Sequence, residues 1–332
     1  MSRRFAQGLR LVGPARKWSD AWGCGIVLDM KHLRVFFEGA SGLRTPQTLI
    51  FRSSLLGLLM VMAGCATNAP KLTGPGDGVV VGDGSEIRKL VPARQLEQSA
   101  AKQFEALKKQ AGQKNALAAT DDAQVQRLKK IAADLKPFAQ AWNPDAARWQ
   151  WEVIVLKSDQ INAFCMPGGK IAFYTGILDK LKLNDHEVAV VMGHEMAHAL
   201  REHARDRMAK NQLTDIGATI ISSVLGFGEA GRQALGYGTQ LLTLKFSRDD
   251  ETEADLVGMD IAARGGYDPR AGLSLWRKMQ AANKNMPPEW FSTHPAGATR
   301  IDDISRNLPR VMPLFAKAIG KTMQTLPPDP SR

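Results

Sequence analysis

The sequence predicts an α+β domain, predominantly helical, with a small β-sheet beside one buried helix. Three observations predict it. From Asn184 the chain carries an apolar run, Val188-Ala189-Val190-Val191-Met192, straight into a histidine pair. A helix that is apolar on most sides crosses a core and does not lie on a surface. A second helical pattern opens at Ser247 and runs to about Arg264. Between Trp149 and Tyr174, strand-forming residues are interrupted by Pro167-Gly168-Gly169, the punctuation of a strand–turn–strand unit.

The elements follow in chain order. Arg44 and Arg52 precede the apolar stretch Leu55–Met62, and Ala63-Gly64-Cys65-Ala66 follows. A basic region, a short apolar region and small residues before a cysteine have the form of a secretory signal. The apolar stretch is about a dozen residues, short of the roughly 20 needed to cross a bilayer. Ala63-Gly64-Cys65 resembles a bacterial lipoprotein box, with Met62 where Leu is usual. The resemblance implies that residues 1–64 are removed and that Cys65 is lipidated. It also implies, with Ala66 and no Asp after the cysteine, a place on the periplasmic face of the outer membrane. Residues 1–43 lie ahead of the signal and point to an overlong translation start. Residues 65–85 hold five glycines and two prolines, and read as the lipidated cysteine and a flexible tether.

Charge and cysteine usage bound the partners. The formal net charge is +11, and residues 1–64 hold nine Lys/Arg against three Asp/Glu, so about +5 remains after residue 64. The remaining basic residues are scattered along helical patterns without a nucleic-acid motif, which excludes nucleic acid as an expected partner. Modest attraction to anionic headgroups suits a tethered protein. Of the three cysteines, only Cys165 would remain unmodified, so no intramolecular disulfide is expected. Cys165 sits in an apolar strand pattern, as a core residue does.

The domain spans 86–320, with 321–332 a tail. Helical patterns cover Glu86 to about Gly112 and Thr120 to about Ala141, with Thr120 as a cap. Trp149–Leu156 and Ile171–Tyr174 read as strands. Asn184 with Glu187 three residues on forms a capping box for the apolar helix. Arg201, Glu202, Arg205, Arg207 and Lys210 are expected to return that helix to solvent. Residues 213–226 are apolar but broken and too short to span a membrane. The rest, to about Lys317, is mostly helical.

The chemistry sits in His194-Glu195-Met196-Ala197-His198. Residues four apart share a helix face, so both imidazoles reach one metal ion, and Glu195 addresses a metal-activated water as general base. A catalytic zinc site needs a third protein ligand and keeps one open position. His203 lies nine residues after His194, about half a turn out of phase on a continuous helix, and no glycine follows His198 to turn the chain. His186 falls at the helix start, on the surface. The better source is the acidic cluster Ser247–Asp255. Glu251 and Asp255 are four apart, so one ligates while the other orients a ligand imidazole. A solvated acidic helix start is the competing reading.

Together, His194–His198 and Ser247-Arg248-x-x-Glu251-x-x-Ala254-Asp255 resemble the HtpX and CaaX-prenyl-protease family of zinc metallopeptidases, in its periplasmic lipoprotein branch. Asn162-Ala163-Phe164, Pro167–Lys170, Tyr174-Thr175-Gly176 and Ser292-Thr293-His294-Pro295 with Arg300 extend the match. The resemblance implies one zinc ion per chain on His194, His198 and Glu251. It implies Glu195 as catalytic base and Asp255 as the carboxylate behind a ligand. It implies strands beside the active site, and for His294 either a regulatory contact with the zinc or a structural loop role. Arg300 is expected on the catalytic list, acting on the substrate carbonyl or oxyanion, with a salt-bridge partner as the alternative.

The expected activity is zinc-dependent endoproteolysis of misfolded or unassembled cell-envelope proteins, in a single zincin-like domain. The rival is a non-proteolytic chaperone or assembly factor for outer-membrane proteins with a latent zinc site. A structural zinc module fits less well, because such sites are usually rich in cysteine. Oligomeric state has no signal in the sequence.

Overall fold

Short apolar segments and a few glycine turns organise the N-terminal part of the domain. The structure, a computed structural model, describes residues 72–212, 245–285, 289–295 and 299–331. The expectations for the signal segment, Cys65 and the stretch 213–226 lie outside the described residues. Residues 72–85, expected as part of a flexible tether, are instead held on the domain. Strand β1 (Leu72–Thr73) pairs antiparallel with β2 (Val81–Gly82). Val79 and Val81 are buried, and the Val79 N–H donates to Asp260 Oδ2 at 3.1 Å. The glycines that suggested a linker serve the turn, with φ of 89° at Gly76 and 91° at Gly78.

The expected helix from Glu86 is divided. A 3-10 turn covers Glu86–Leu90, and α1 begins after Pro92, at Ala93–Gln113. Proline disfavours helical conformation at the residue before it, here Val91. Helix α2 (Ala123–Leu135) is capped by Asp122, whose carboxylate accepts from the Gln124 N–H, and not by Thr120. It tightens to a 3-10 turn over Lys136–Ala141, which contains Pro137.

The sheet has three strands in the order β3-β5-β4, with β3 (Glu152–Leu156), β4 (Ala163–Met166) and β5 (Lys170–Tyr174). β3 runs parallel to β5, with Ile154 opposite Ala172, and β4 is antiparallel to it, with Phe164 opposite Ala172. The β4–β5 turn uses Gly168 and Gly169 at φ 86° and 79°. Ala100 and Phe104 of α1 pack on Ile154, Met166 and Ala172. The outer edge of β3 is bonded by residues 116–118. β4 is the opposite edge strand, and it lies against the apolar helix.

After the short α3 (Thr175–Lys180) comes α4 (Asp185–Leu200), with the expected capping box between Asn184 and Glu187. Every residue from Glu187 to Leu200 is buried. The helix does not run on to solvent. It ends at Leu200, Glu202 takes φ 59°, and helix resumes over 203–212. Among the described residues, the α-helices that follow are α5 (Arg248–Arg264), α6 (Ala271–Asn285), α7 (Trp290–Thr293) and α8 (Arg300–Ala318). α4 and α5 pack directly on each other, and α8 covers α5. Among the described residues, no helix is long and apolar enough to cross a membrane.

Candidate metal centre

Four side chains converge where α4 and α5 cross. His194, His198, Glu251 and His294 offer ligand atoms that all lie within 4.8 Å of one another, and all four are buried. His194 Nε2 and His198 Nε2 are 3.1 Å apart. Glu251 Oε1 lies 3.3 Å from His198 Nε2, and its Oε2 is 3.6 Å from His194 Nε2. His294 Nδ1 is 3.0 Å from Glu251 Oε1 and 3.4 Å from His194 Nε2.

Local sequence explains the convergence. The i, i+4 spacing stacks the two histidines on one face of α4. The capping box of Ser247 and Asp250 starts α5 immediately before Glu251, and aims the first turn at α4. Gly193 and Gly258 let the two backbones touch: a Cβ at Gly193 would lie 2.5 Å from the Gly258 carbonyl oxygen. α7 ends at Thr293, so His294 leaves the helix beside the cluster.

Asp255 stands behind the cluster. Its Oδ1 is 3.0 Å from His194 Nδ1, the ring nitrogen that faces away from the other donors. Arg300, expected either on the substrate carbonyl or oxyanion or as a salt-bridge partner, is ion-paired to Asp255 and Glu251. Its Nε and Nη2 both donate to Asp255 at 2.6 Å, and Nη1 donates to Glu251 at 2.5 Å. The guanidinium also stacks on Trp276 at 3.8 Å, and the side chain is buried. With these donors occupied behind the carboxylates, Arg300 does not face the cleft.

Glu195 points to the other side of the cluster. Its Oε1 accepts from Trp290 Nε1 at 2.8 Å and lies 3.6 Å from His294 Nε2. The adjoining cleft is lined by Phe164, Cys165 and Met166 of β4, by Glu195 and His198, and by Phe246. Phe246 stacks on His198 with ring centroids 3.9 Å apart.

The electrostatics fit a cation. Burial pushes the His198 imidazole well below its ordinary value, so the ring is neutral. Burial also works to raise Glu251, but hydrogen bonds with His198 and His294 outweigh it, and the carboxyl stays well below the usual range. A neutral imidazole and an ionised carboxylate are the states a metal ligand requires. Burial raises the Glu195 carboxyl, against the opposing effect of His294, His194 and Trp290. Imidazole nitrogens with a carboxylate oxygen form a donor set suited to zinc.

Sequence reasoning missed Trp290, Phe246, Glu253 and the Gly193–Gly258 contact. Trp290 lies four residues before His294, a helical spacing that was a usable signal. Nothing local marks the others. His186, expected at the surface, is half-buried, accepts the Asp268 N–H at 3.1 Å and packs on Tyr267.

Comparison with known proteins decides the family. The pattern of Peptidase family M48 matches residues 122–308, more than half of the chain. The chain belongs to peptidase family M48. The matched span of this family contains every residue of the cluster, and M48 metallopeptidases are zinc-dependent. The chain is 34% identical over 180 residues to the mitochondrial metalloendopeptidase OMA1 of Arabidopsis thaliana, covering 54% of this chain and 35% of that relative. It is 31% identical over 185 residues to OMA1 of Saccharomyces cerevisiae, covering 54% and 52%. To the beta-barrel assembly-enhancing protease of Escherichia coli it is 28% identical over 184 residues, covering 52% and 38%. The chain thus spans about a third to a half of the length of these M48 relatives.

Proposed function

We propose that this chain is a zinc-dependent endopeptidase acting on misfolded or unassembled cell-envelope proteins. The observation that carries the reading is the meeting of His194, His198 and Glu251 at one point, with Glu195 aimed into the cleft beside them. These three residues would hold the zinc. Bound there, the ion supplies Lewis acidity for the attacking water and the peptide carbonyl. Glu195 takes the proton of the water and passes it to the leaving amine. Its burial keeps the carboxyl basic enough for that transfer. Arg300 holds Asp255, which orients His194. An extended polypeptide fits along β4, the edge strand that lines the cleft.

His294 has a regulatory role in this reading. Its imidazole stands among the three ligand side chains and would take the coordination position that the water needs. The substrate class rests on the envelope protease among the relatives and on the lipoprotein box at Cys65. The same box supports a lipid anchor facing the periplasm.

Glu195→Gln tests the proteolytic reading. The variant should keep zinc and fold, and lose cleavage of an unfolded protein such as casein, with the loss falling on kcat. Equal cleavage by wild type and variant would sink it in favour of the chaperone reading.

A further inference from the structure

We propose that His203 is a positioning residue for His198. It opens a chain through Glu253 to Arg201 that parallels the chain from His194 through Asp255 to Arg300. The inference rests on the zinc reading of the cluster. His203 is not a ligand, and its place is behind one.

The geometry is directional. His198 presents Nε2 to the cluster and Nδ1 to His203, whose own Nδ1 is 2.9 Å away. Two facing ring nitrogens need one proton between them. If His198 gives Nε2 to the metal, its neutral ring carries the proton on Nδ1. His203 must then accept at Nδ1 and carry its own proton on Nε2. That nitrogen faces Glu253 Oε2 at 3.8 Å, outside hydrogen bonding. Arg201 Nε donates to Glu253 Oε1, and Arg201 Nη2 donates to the Gly82 carbonyl at 2.6 Å. The proton on His198 Nδ1 thus falls on His203 Nδ1, and the Arg201 protons fall on Glu253 and Gly82, while His203 Nε2 makes no hydrogen bond. The reverse placement, with His203 donating, puts a proton on His198 Nε2 and removes a ligand.

Burial and backbone support the same assignment. His203 and Arg201 are buried, so the contact acts at low dielectric. Phe246 stacks on the ring of His198, leaving the Nδ1 edge to His203. The chain reaches this position because Glu202 adopts φ 59°, a left-handed conformation that is unfavourable for a non-glycine residue. Glu202 is held there by Arg205 at 2.8 Å and Arg88 at 3.3 Å. On an uninterrupted helix His203 would face away from His198.

The test uses the full chain, with zinc affinity measured by chelator competition. His203→Leu fills the space without an acceptor. His203→Asn places an amide oxygen near the Nδ1 position. The Leu variant should hold zinc roughly 10- to 100-fold more weakly, the range for lost partners of ligand histidines. The Asn variant should stay within a few-fold of wild type. Cobalt in place of zinc should show a shifted visible band in the Leu variant and a near-native band in the Asn variant. Unchanged affinity and spectrum in His203→Leu overturn the inference. Equal loss in both variants also overturns it, by assigning the effect to packing, and the thermal unfolding of the metal-free proteins shows that directly. A wild type without zinc, or zinc binding untouched by Glu251→Gln, overturns the zinc-site reading itself.

Discussion

Gly193 and Gly258 are in backbone contact where α4 crosses α5. A Cβ at Gly258 would lie 2.6 Å from the His194 nitrogen and 2.9 Å from its Cα. Both neighbours are backbone, so neither can rotate away. The contact sits one residue before His194 and three after Asp255, and so it sets the separation of the two halves of the cluster.

Gly258→Ala therefore sets two effects against each other. In an exposed helix the change gains about 1 kcal/mol of propensity. Here it forces the helices apart, at a cost of about 1–3 kcal/mol for overpacking. Overpacking is expected to win. Urea unfolding should show net destabilisation, and zinc affinity should fall with it. A more stable Gly258→Ala protein with native zinc affinity would show that the close approach does not govern the site.

His294→Ala should raise basal proteolysis while zinc content stays near that of wild type. Three protein ligands remain, and the position taken by the imidazole becomes open to water. A clear fall in activity at full zinc occupancy would reject the latch and assign His294 to substrate or oxyanion contact.

Asp260 gives stability a pH dependence remote from the cluster. Burial raises its carboxyl above the ordinary value, and Arg264 and the Val79 N–H only partly offset this. A raised carboxyl binds its proton more readily in the folded chain. The stability from that proton is complete below the unfolded value of about 3.9 and is lost as pH rises through the folded value. Asp260→Asn has no such proton to lose. Between pH 4 and 7, its unfolding free energy should improve relative to wild type as pH rises. Parallel curves for the two proteins would refute the assignment.

Cys65 should carry lipid at the mature N-terminus, in a protein that fractionates with the outer membrane. Mass spectrometry of that terminus decides the matter. An unmodified peptide running through residue 65 would remove both the cleavage and the anchor.

The residues that meet in the cluster were legible in the sequence, apart from the surroundings that hold them. The four-residue spacing of His194 and His198 needs only helical periodicity, which the capped apolar run made legible. Glu251 and Asp255 were legible for the same reason, since a helix start and an i, i+4 pair are local facts. The β4–β5 unit was visible in its Pro-Gly-Gly turn. Where reading failed, a single residue redirected the chain. Pro92 divided the first helix. Glycines that read as a tether formed a turn that Val79 and Val81 hold on the core. Glu202, not glycine, took the left-handed turn for which the sequence offers no glycine just after His198. What surrounds the cluster emerges from the folded chain alone: Arg300 on two carboxylates, Trp290 on Glu195, His203 on His198. These contacts join residues on separate segments, through side chains whose direction no local pattern encodes. Their geometry depends on how closely α4 and α5 approach. That distance is set by packing of two glycines 65 positions apart, a property of the assembled core.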